Sequence, residues 1–376
     1  MSIKLKKIVI DGFKSIGEPT DVSFGDVTIL LGANGSGKSN LVSFFRMVNH
    51  ISSGSLQKFV AESGMANAVL HFGSERTKSM SFSFEFESGE WRNEYSATLS
   101  YFAPDGLFFT EERTSARQAG QARPISEILP SAGRMESQLE VDNAPNAAYG
   151  KTRSAVSWML NGCKAFQFHN TSPESAIRSS CYIEQGGYLR SDAGNLPAFL
   201  YAMRQREPEH YQRVVMAVRE MVPQFRDFAL EPSVRNPSRI FLNWIGEEGE
   251  KYLLGPHQFS DGAIRFVALA SLLLQPADKL PAVIVLDEPE LGLHPAAIKS
   301  LAGMIDIACQ SCQVVLSTQS AELASLFPAE CVRIVNYDTM RHCSTFTPLP
   351  LDELKGWLED YSLAELWEKN LLGGRP

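Results

Sequence analysis

Apolar and polar residues change rhythm several times along this chain, and each change predicts a different layer of structure. IKLKKIVIDGF (3–13) opens with alternating apolar residues, which predicts a strand leading into a turn at FKSI (13–16). VTILL (27–31) is an unbroken apolar, β-branched run of the kind a strand buried on both faces needs. SNLVSFFRMV then places its apolar residues three and four apart, which predicts a helix. Period two returns in SMSFSFEFE (79–87), EYSATLSYF (94–102) and GLFFTEE (106–112), with GEW and PDG turns between them. These segments predict an antiparallel sheet beside the layer that VTILL begins.

From about 113 to 149 the chain becomes rich in Ala, Ser, Gln, Gly and Pro, with few large apolar residues and charges of both signs. This composition predicts an exposed insertion with short helices, whose arginines form a solvated face or, alternatively, a face toward DNA. KTRSAVSWMLNGCKAFQFHNTSP then predicts a helix followed by a loop at 166–172, and residues 196–225 predict two amphipathic helices broken near Pro208. The last third returns to α/β order. RIFLNWIGE and KYLLG predict a hairpin, GAIRFVALASLLLQ a buried helix, AVIVLDEPE a buried strand, PAAIKSLAGMIDIACQ a helix with Pro295 in its first turn, and VVLSTQS another buried strand. An amphipathic tail, LDELKGWLEDYSLAELWEKN, closes the pattern. The expected fold class is α/β, with a mostly parallel sheet flanked by helices, an antiparallel β lobe and a helical insertion.

Composition narrows the function classes. The 376 residues are 44% hydrophobic, enough for a sizeable core, and the net charge of −8 argues against retention on nucleic acid by bulk charge. No apolar run approaches the roughly eighteen residues of a membrane span, and the N-terminal charges precede no apolar signal segment, so a cytoplasmic protein without a membrane partner is expected. Among six cysteines only Cys309 and Cys312 form a C-x-x-C pair; a zinc site needs a second pair, so these read as buried thiols.

The chemistry concentrates in GANGSGKS, which has the spacing G-x-x-x-x-G-K-[ST] between a predicted strand and a predicted helix. Gly32, Gly35 and Gly37 let the backbone come close to phosphates, Lys38 reaches the β- and γ-phosphates, and the Ser39 hydroxyl is a ligand for Mg²⁺. AVIVLDEPE ends its strand in two acids. Asp287 is placed to hold the metal and Glu288 to accept a proton from the attacking water. Ser260, Asp261 and Gly262 stand at a predicted helix start, where an ordinary cap is the commonest role. The alternative is that this helix N-terminus binds a γ-phosphate; it lies too far along the fold to serve its own phosphate loop, so it would serve a second subunit's.

Taken in order, Phe13-Lys14-Ser15, GANGSGKSN, FSDGAIR, VIVLDEPELGLHP and VVLSTQS resemble the ATPase heads of the SMC, RecF and OLD class within the ATP-binding-cassette superfamily, most closely stand-alone prokaryotic heads of the OLD and RecF type. The resemblance anchors both ends of the chain and leaves residues 111–165 unmatched. It implies one ATPase domain over 1–376, with an N-terminal lobe (1–110), an insertion and helical lid region (111–230) and a C-terminal lobe (231–376). It implies ATP and Mg²⁺ as cofactors, with nucleotide bound by Gly32, Ala33, Asn34, Gly35, Ser36, Gly37, Lys38, Ser39 and Asn40. Ser260, Asp261 and Gly262 become the signature, and Glu290 to His294 the D-loop across a dimer. Lys14 is implied near the nucleotide, and Gln167 or His169 in a loop that senses Mg²⁺.

Gln319 departs from the family pattern, because it stands where ATP-binding cassettes usually carry a switch histidine. Glutamine can donate a hydrogen bond to the γ-phosphate but cannot carry a proton charge. The function implied is an ATPase whose ATP-gated homodimerisation, or higher assembly, controls action on DNA or a separately encoded effector nuclease of TOPRIM or HNH type, in prokaryotic defence against phage. A housekeeping recombination or repair ATPase of RecF type is the alternative. A transporter cassette is disfavoured, since FSDGAIR lacks the glutamine that follows the transporter signature and the switch histidine is absent.

Overall fold

The period-two segments pair into one antiparallel sheet. Strands β1 (Ile3–Asp11), β2 (Thr20–Ser23), β4 (Ser79–Ser88), β5 (Trp91–Phe102), β6 (Gly106–Gln118) and β7 (Ile125–Ile128) take the order β2-β1-β4-β5-β6-β7. A second six-stranded sheet has the order β17-β16-β3-β15-β14-β8, built from β3 (Val27–Leu31), β8 (Cys163–Phe166), β14 (Val283–Asp287), β15 (Gln313–Thr318), β16 (Val332–Asp338) and β17 (Cys343–Pro348). There β16 runs parallel to β3 and antiparallel to β17. The chain is described from a computed structural model covering residues 3–121, 123–140, 145–246 and 252–373.

The residues cluster into two units. One takes Met1–Ala165, Pro281–Val285 and Val315–Pro376, and the other Phe166–Leu280 and Leu286–Val314. In the first, helix α1 (Lys38–Ser52) buries Leu41, Phe44, Phe45, Val48 and Ile51 in a core that draws on both sheets. Phe44 meets Phe13 edge-on at 5.5 Å and stacks on Phe84 at 5.7 Å. Such ring pairs add about 0.5–1.5 kcal/mol each beyond the area they bury, so they help hold the helix that starts at the phosphate loop. The short helices α2 (Leu56–Glu62), α3 (Ala66–Val69) and α4 (Gly73–Arg76) lead from α1 to β4. Helices α10 (Ala321–Ala324), α11 (Leu351–Asp360) and α12 (Leu363–Glu368) belong to the chain end, where the predicted amphipathic tail is broken at Ser362, which caps α12.

The second unit holds α6 (Leu196–Arg206), α7 (Pro208–Met221), α8 (Asp261–Leu273) and α9 (Pro295–Ala308), with the predicted break at Pro208. A small sheet orders β10 (Phe225–Ala229), β12 (Asn243–Gly246) and β13 (Leu253–Leu254), while β9 (Cys181–Tyr182) pairs with β11 (Arg239–Ile240). The predicted hairpin is therefore split: Arg239 and Ile240 pair with β9, and only β12 pairs with β13; residues 247–251 lie outside the described residues.

One further expectation is corrected. The stretch 113–149 is not an insertion of short helices: β6 runs on to Gln118 and β7 extends the sheet, and although more than half of its described residues are exposed, Thr114, Glu127, Leu129, Ser131 and Leu139 are buried; residues 122 and 141–144 lie outside the described residues. Helix α5 (Ala147–Asn161) follows as one continuous element, and its Arg153 donates to Glu127 through both Nε (2.9 Å) and Nη2 (2.6 Å). Polar residues in this stretch satisfy one another across the sequence. Glu112, itself buried, accepts from Tyr95 Oη at 2.7 Å and from the Gln138 amide at 3.0 Å. Composition alone reads such residues as solvated, because their partners lie far away in the chain. The β16–β17 hairpin corresponds to no predicted element.

Candidate nucleotide-binding and catalytic residues

The phosphate loop connects β3 to α1 in the first unit. Gly35 and Gly37 take φ of 78° and 107°, in the left-handed region where a Cβ is costly. A Cβ on Gly32 would lie 2.3 Å from the Val335 carbonyl oxygen, and one on Gly37 would lie 2.0 Å from Ser344 Oγ. Gly35 has nothing within 4 Å of its Cβ position, so the loop is open to a ligand there. Lys38 is buried and its Nζ donates to the carbonyls of Gly32 (2.7 Å) and Ala33 (2.8 Å), which holds the ammonium inside the loop. Helix α1 starts at Gly37 with no side chain capping its first amides, leaving an N-terminus suited to an anion. Ser36 Oγ is buried without a hydrogen-bond partner, a polar atom that a phosphate oxygen would satisfy. These features fit a nucleotide's phosphates.

Around the loop, the Gly32 amide donates to the Thr318 carbonyl at 3.4 Å, which brings the end of β15, and Gln319 just beyond it, to the base of the loop. The FKS turn lies alongside. Lys14 has φ of 47°, and its Nζ donates to Ser43 Oγ on α1 at 2.7 Å. Burial holds its ammonium pKa below the usual lysine range, and the charge of Arg46 pushes the same way. Next to Lys14 and Ser15 opens a cleft of about 880 Å³ lined by His71, Phe72, Tyr101, Tyr337 and His342. Phe72 projects into solvent there, with the Arg76 guanidinium 4.7 Å from its ring centre.

The second unit carries the acids. Asp287, buried at the end of β14, accepts a hydrogen bond at Oδ2 from Gln167 Nε2 (3.0 Å). His169 Nε2 lies 2.8 Å from the Asp287 carbonyl oxygen, which can only accept, so the imidazole proton sits on Nε2. Nδ1 is then left as an acceptor facing Gln167 Nε2 at 3.5 Å. Both residues of the proposed metal-sensing loop thus converge on Asp287. Glu288 follows with φ of 41°, a left-handed conformation that costs a non-glycine residue about 1–3 kcal/mol and is typical of functional positions.

The residues that the resemblance takes for the signature open α8. Ser260 is its N-cap, accepting from the Ala263 amide at 3.2 Å. Gly262 packs against Gly292 so closely that a Cβ would lie 2.2 Å from the Gly292 carbonyl oxygen. The Asp261 carboxyl is held below the usual carboxylate range by hydrogen bonds from Arg178 and Thr171. Glu290 to His294 form the turn before α9, with His294 Nδ1 capping that helix at the Ala296 amide.

The family model described as "AAA domain, putative AbiEii toxin, Type IV TA system" matches residues 27–325, which is most of the chain. The protein belongs to this family. It is an ATPase of the AAA type, as its motifs suggested. Among solved structures it is similar to an SMC head bound to the C-terminal winged-helix domain of ScpA (16% identity, 94% of this chain and 99% of that one, TM-score 0.57). It is also similar to a Pyrococcus furiosus SMC head with an extended coiled coil, bound to the C-terminal domain of ScpA (14% identity, 95% and 99%, TM-score 0.55). At these identities the likeness shows the fold. No curated protein matches the sequence.

Several residues around Asp287 and the start of α8 had no assigned role in the sequence. Arg265, within FSDGAIR, donates to the carbonyls of Phe168 (3.1 Å), His169 (2.9 Å) and Leu291 (2.7 Å), tying α8 to the Asp287 partners and the D-loop. Arg178 is buried and donates to the carbonyls of Thr171 and Phe259 and to Asp261. Phe259, just before Ser260, stacks on Trp244 at 4.8 Å. Arg265 was visible as part of a motif, whereas Arg178 and Trp244 carried no sequence signal. Cys312 is buried, which pushes its thiol pKa up to about 12.

Proposed function

We propose that this ATPase binds and hydrolyses ATP with Mg²⁺ at composite sites of a homodimer in the cytoplasm, and that this cycle controls DNA or a separately encoded effector nuclease in prokaryotic anti-phage defence. The observation that carries the reading is the phosphate loop, with glycines that admit no Cβ at two positions, Lys38 turned inward and an uncapped helix start behind it. The whole chain acts as one head in this reading. ATP and its Mg²⁺ supply the phosphoryl group and the charge that activates it. Lys38 offsets negative charge on the phosphates, Ser39 and Asp287 offer hard oxygen ligands suited to Mg²⁺, Glu288 accepts the proton of the attacking water, and Gln319 donates a hydrogen bond to the γ-phosphate. Gln167 and His169 hold Asp287 in the orientation the metal needs. The cleft beside Lys14, with Phe72 as a stacking surface, suits the nucleoside.

The family description names a toxin of a type IV toxin–antitoxin system, which favours the defence reading; the SMC heads in the matched structures are bound to a partner protein, which favours control of an effector. A mixed dimer tests the composite site. Lys38→Ala and Ser260→Arg variants, each inactive alone, are combined, and trapped nucleotide is counted per isolated heterodimer. One occupied site per heterodimer is expected, because both lesions fall in the other site. No recovery with both chains folded would sink the dimeric reading, and the absence of any nucleotide bound to the wild type would sink the ATPase reading itself.

A further inference from the structure

We infer that Ser344 is a positioning residue for the phosphate loop: its hydroxyl fixes the Ser36–Gly37 peptide so that the Gly37 N–H faces the phosphate. The inference rests on the ATP-binding reading of that loop. Ser344 lies on β17, about three hundred residues from the loop in sequence, and is fully buried (0% exposed). Its Oγ is 2.7 Å from the Ser36 carbonyl oxygen and 2.7 Å from Ser15 Oγ, and its backbone amide donates to the Ser15 carbonyl at 2.7 Å. Asn40 Nδ2, in the first turn of α1, donates to Ser15 Oγ, also at 2.7 Å.

Proton counting orders this chain of contacts. A carbonyl oxygen can only accept, so the single Ser344 hydroxyl proton goes to Ser36. The proton between the two serine oxygens must then come from Ser15, whose own oxygen accepts from the Asn40 amide. The result is a one-way series from Asn40 through Ser15 and Ser344 to the Ser36 carbonyl, in which each bond polarises the next. In a trans peptide the C=O and the following N–H point to opposite sides. Holding the Ser36 oxygen toward Ser344 therefore turns the Gly37 N–H away from β17.

Glycine makes the clamp both possible and necessary. At φ of 107° with no Cβ, Gly37 leaves room for the Ser344 hydroxyl, which a Cβ would approach to 2.0 Å. The same freedom lets this peptide rotate, and a rotated peptide would present its carbonyl oxygen to the phosphate in place of a donor.

The test uses the full chain, with fluorescent ATP and ADP analogues for affinity and the ³¹P resonance of the β-phosphate of bound ADP for geometry. Ser344→Ala is expected to weaken both nucleotides about tenfold and to shift the β-phosphate resonance; Ser344→Thr, which keeps the hydroxyl, restores the resonance. Ser15→Ala cuts the same series one link earlier at a half-buried turn, so it supplies the answer should Ser344→Ala fail to fold; a smaller loss of the same sign is expected. In the double variant the losses do not add. Wild-type affinity within twofold and an unmoved resonance in folded Ser344→Ala, or in Ser15→Ala where only that variant folds, would overturn the clamp while leaving ATP binding intact. A wild-type chain that binds no nucleotide would remove both readings.

Discussion

The phosphate loop and the surroundings of Asp287 reach order by opposite means. In the loop, backbone groups face the ligand, and the demand on sequence is for what must be missing: no Cβ at Gly32 or Gly37, and no side-chain cap on α1. Around Asp287, side chains from distant segments converge, Gln167 and His169 on the acid and Arg265 on the main chain beside them. A site made of backbone needs close spacing along the chain and shows in eight consecutive letters. A site made of side chains needs only that the fold bring them together, and its members can stand more than a hundred residues apart, as Gln167 and Asp287 do.

Separating binding from chemistry gives the largest contrast. Glu288→Gln should keep ATP affinity near wild type while turnover falls about 10²–10⁴-fold, the range expected for loss of a general base. Single-turnover hydrolysis measures this, and near-normal turnover would remove Glu288 from that role. On the loop side, Gly37→Ala meets both an unfavourable φ and a hydroxyl in the way, so nucleotide binding should fall by about a hundredfold or more. Gly35→Ala meets only the φ penalty of roughly 1–2 kcal/mol, so about tenfold is expected. Equal losses measured by calorimetry would show that conformation alone, and not the approach of Ser344, sets the glycine requirement.

On the Asp287 side, Gln167→Ala removes the amide that orients the carboxylate and should raise the Mg²⁺ concentration for half-maximal turnover about 10–100-fold, with metal-free nucleotide binding unchanged. A matching loss without metal would assign Gln167 to folding instead. Gln319→Ala should slow turnover only several-fold, since one hydrogen bond is lost, and Gln319→His should be tolerated. Smallest of all is Asp261. Its lowered pKa means that its pairing with Arg178 stabilises the fold above the ordinary carboxylate pKa and is lost as pH falls through the lowered value. With the side chain 67% exposed the effect stays under about 1 kcal/mol, and Asp261→Asn should flatten that part of the melting-temperature profile below pH 4.

The sequence by itself determined β1, β4, β5 and the start of β6 in the antiparallel sheet, the break at Pro208, the phosphate loop and the acidic end of β14, because alternation, proline and glycine act on the residues next to them. It could not determine 113–149, where polar residues are buried against partners elsewhere in the chain: Glu112 with Tyr95 and Gln138, Glu127 with Arg153. Nor could it find the β16–β17 hairpin, or Ser344 against the loop. Tertiary structure decided those. A hydroxyl or a guanidinium gains its role from the carbonyl it meets, and nothing in its local spacing says which carbonyl that will be.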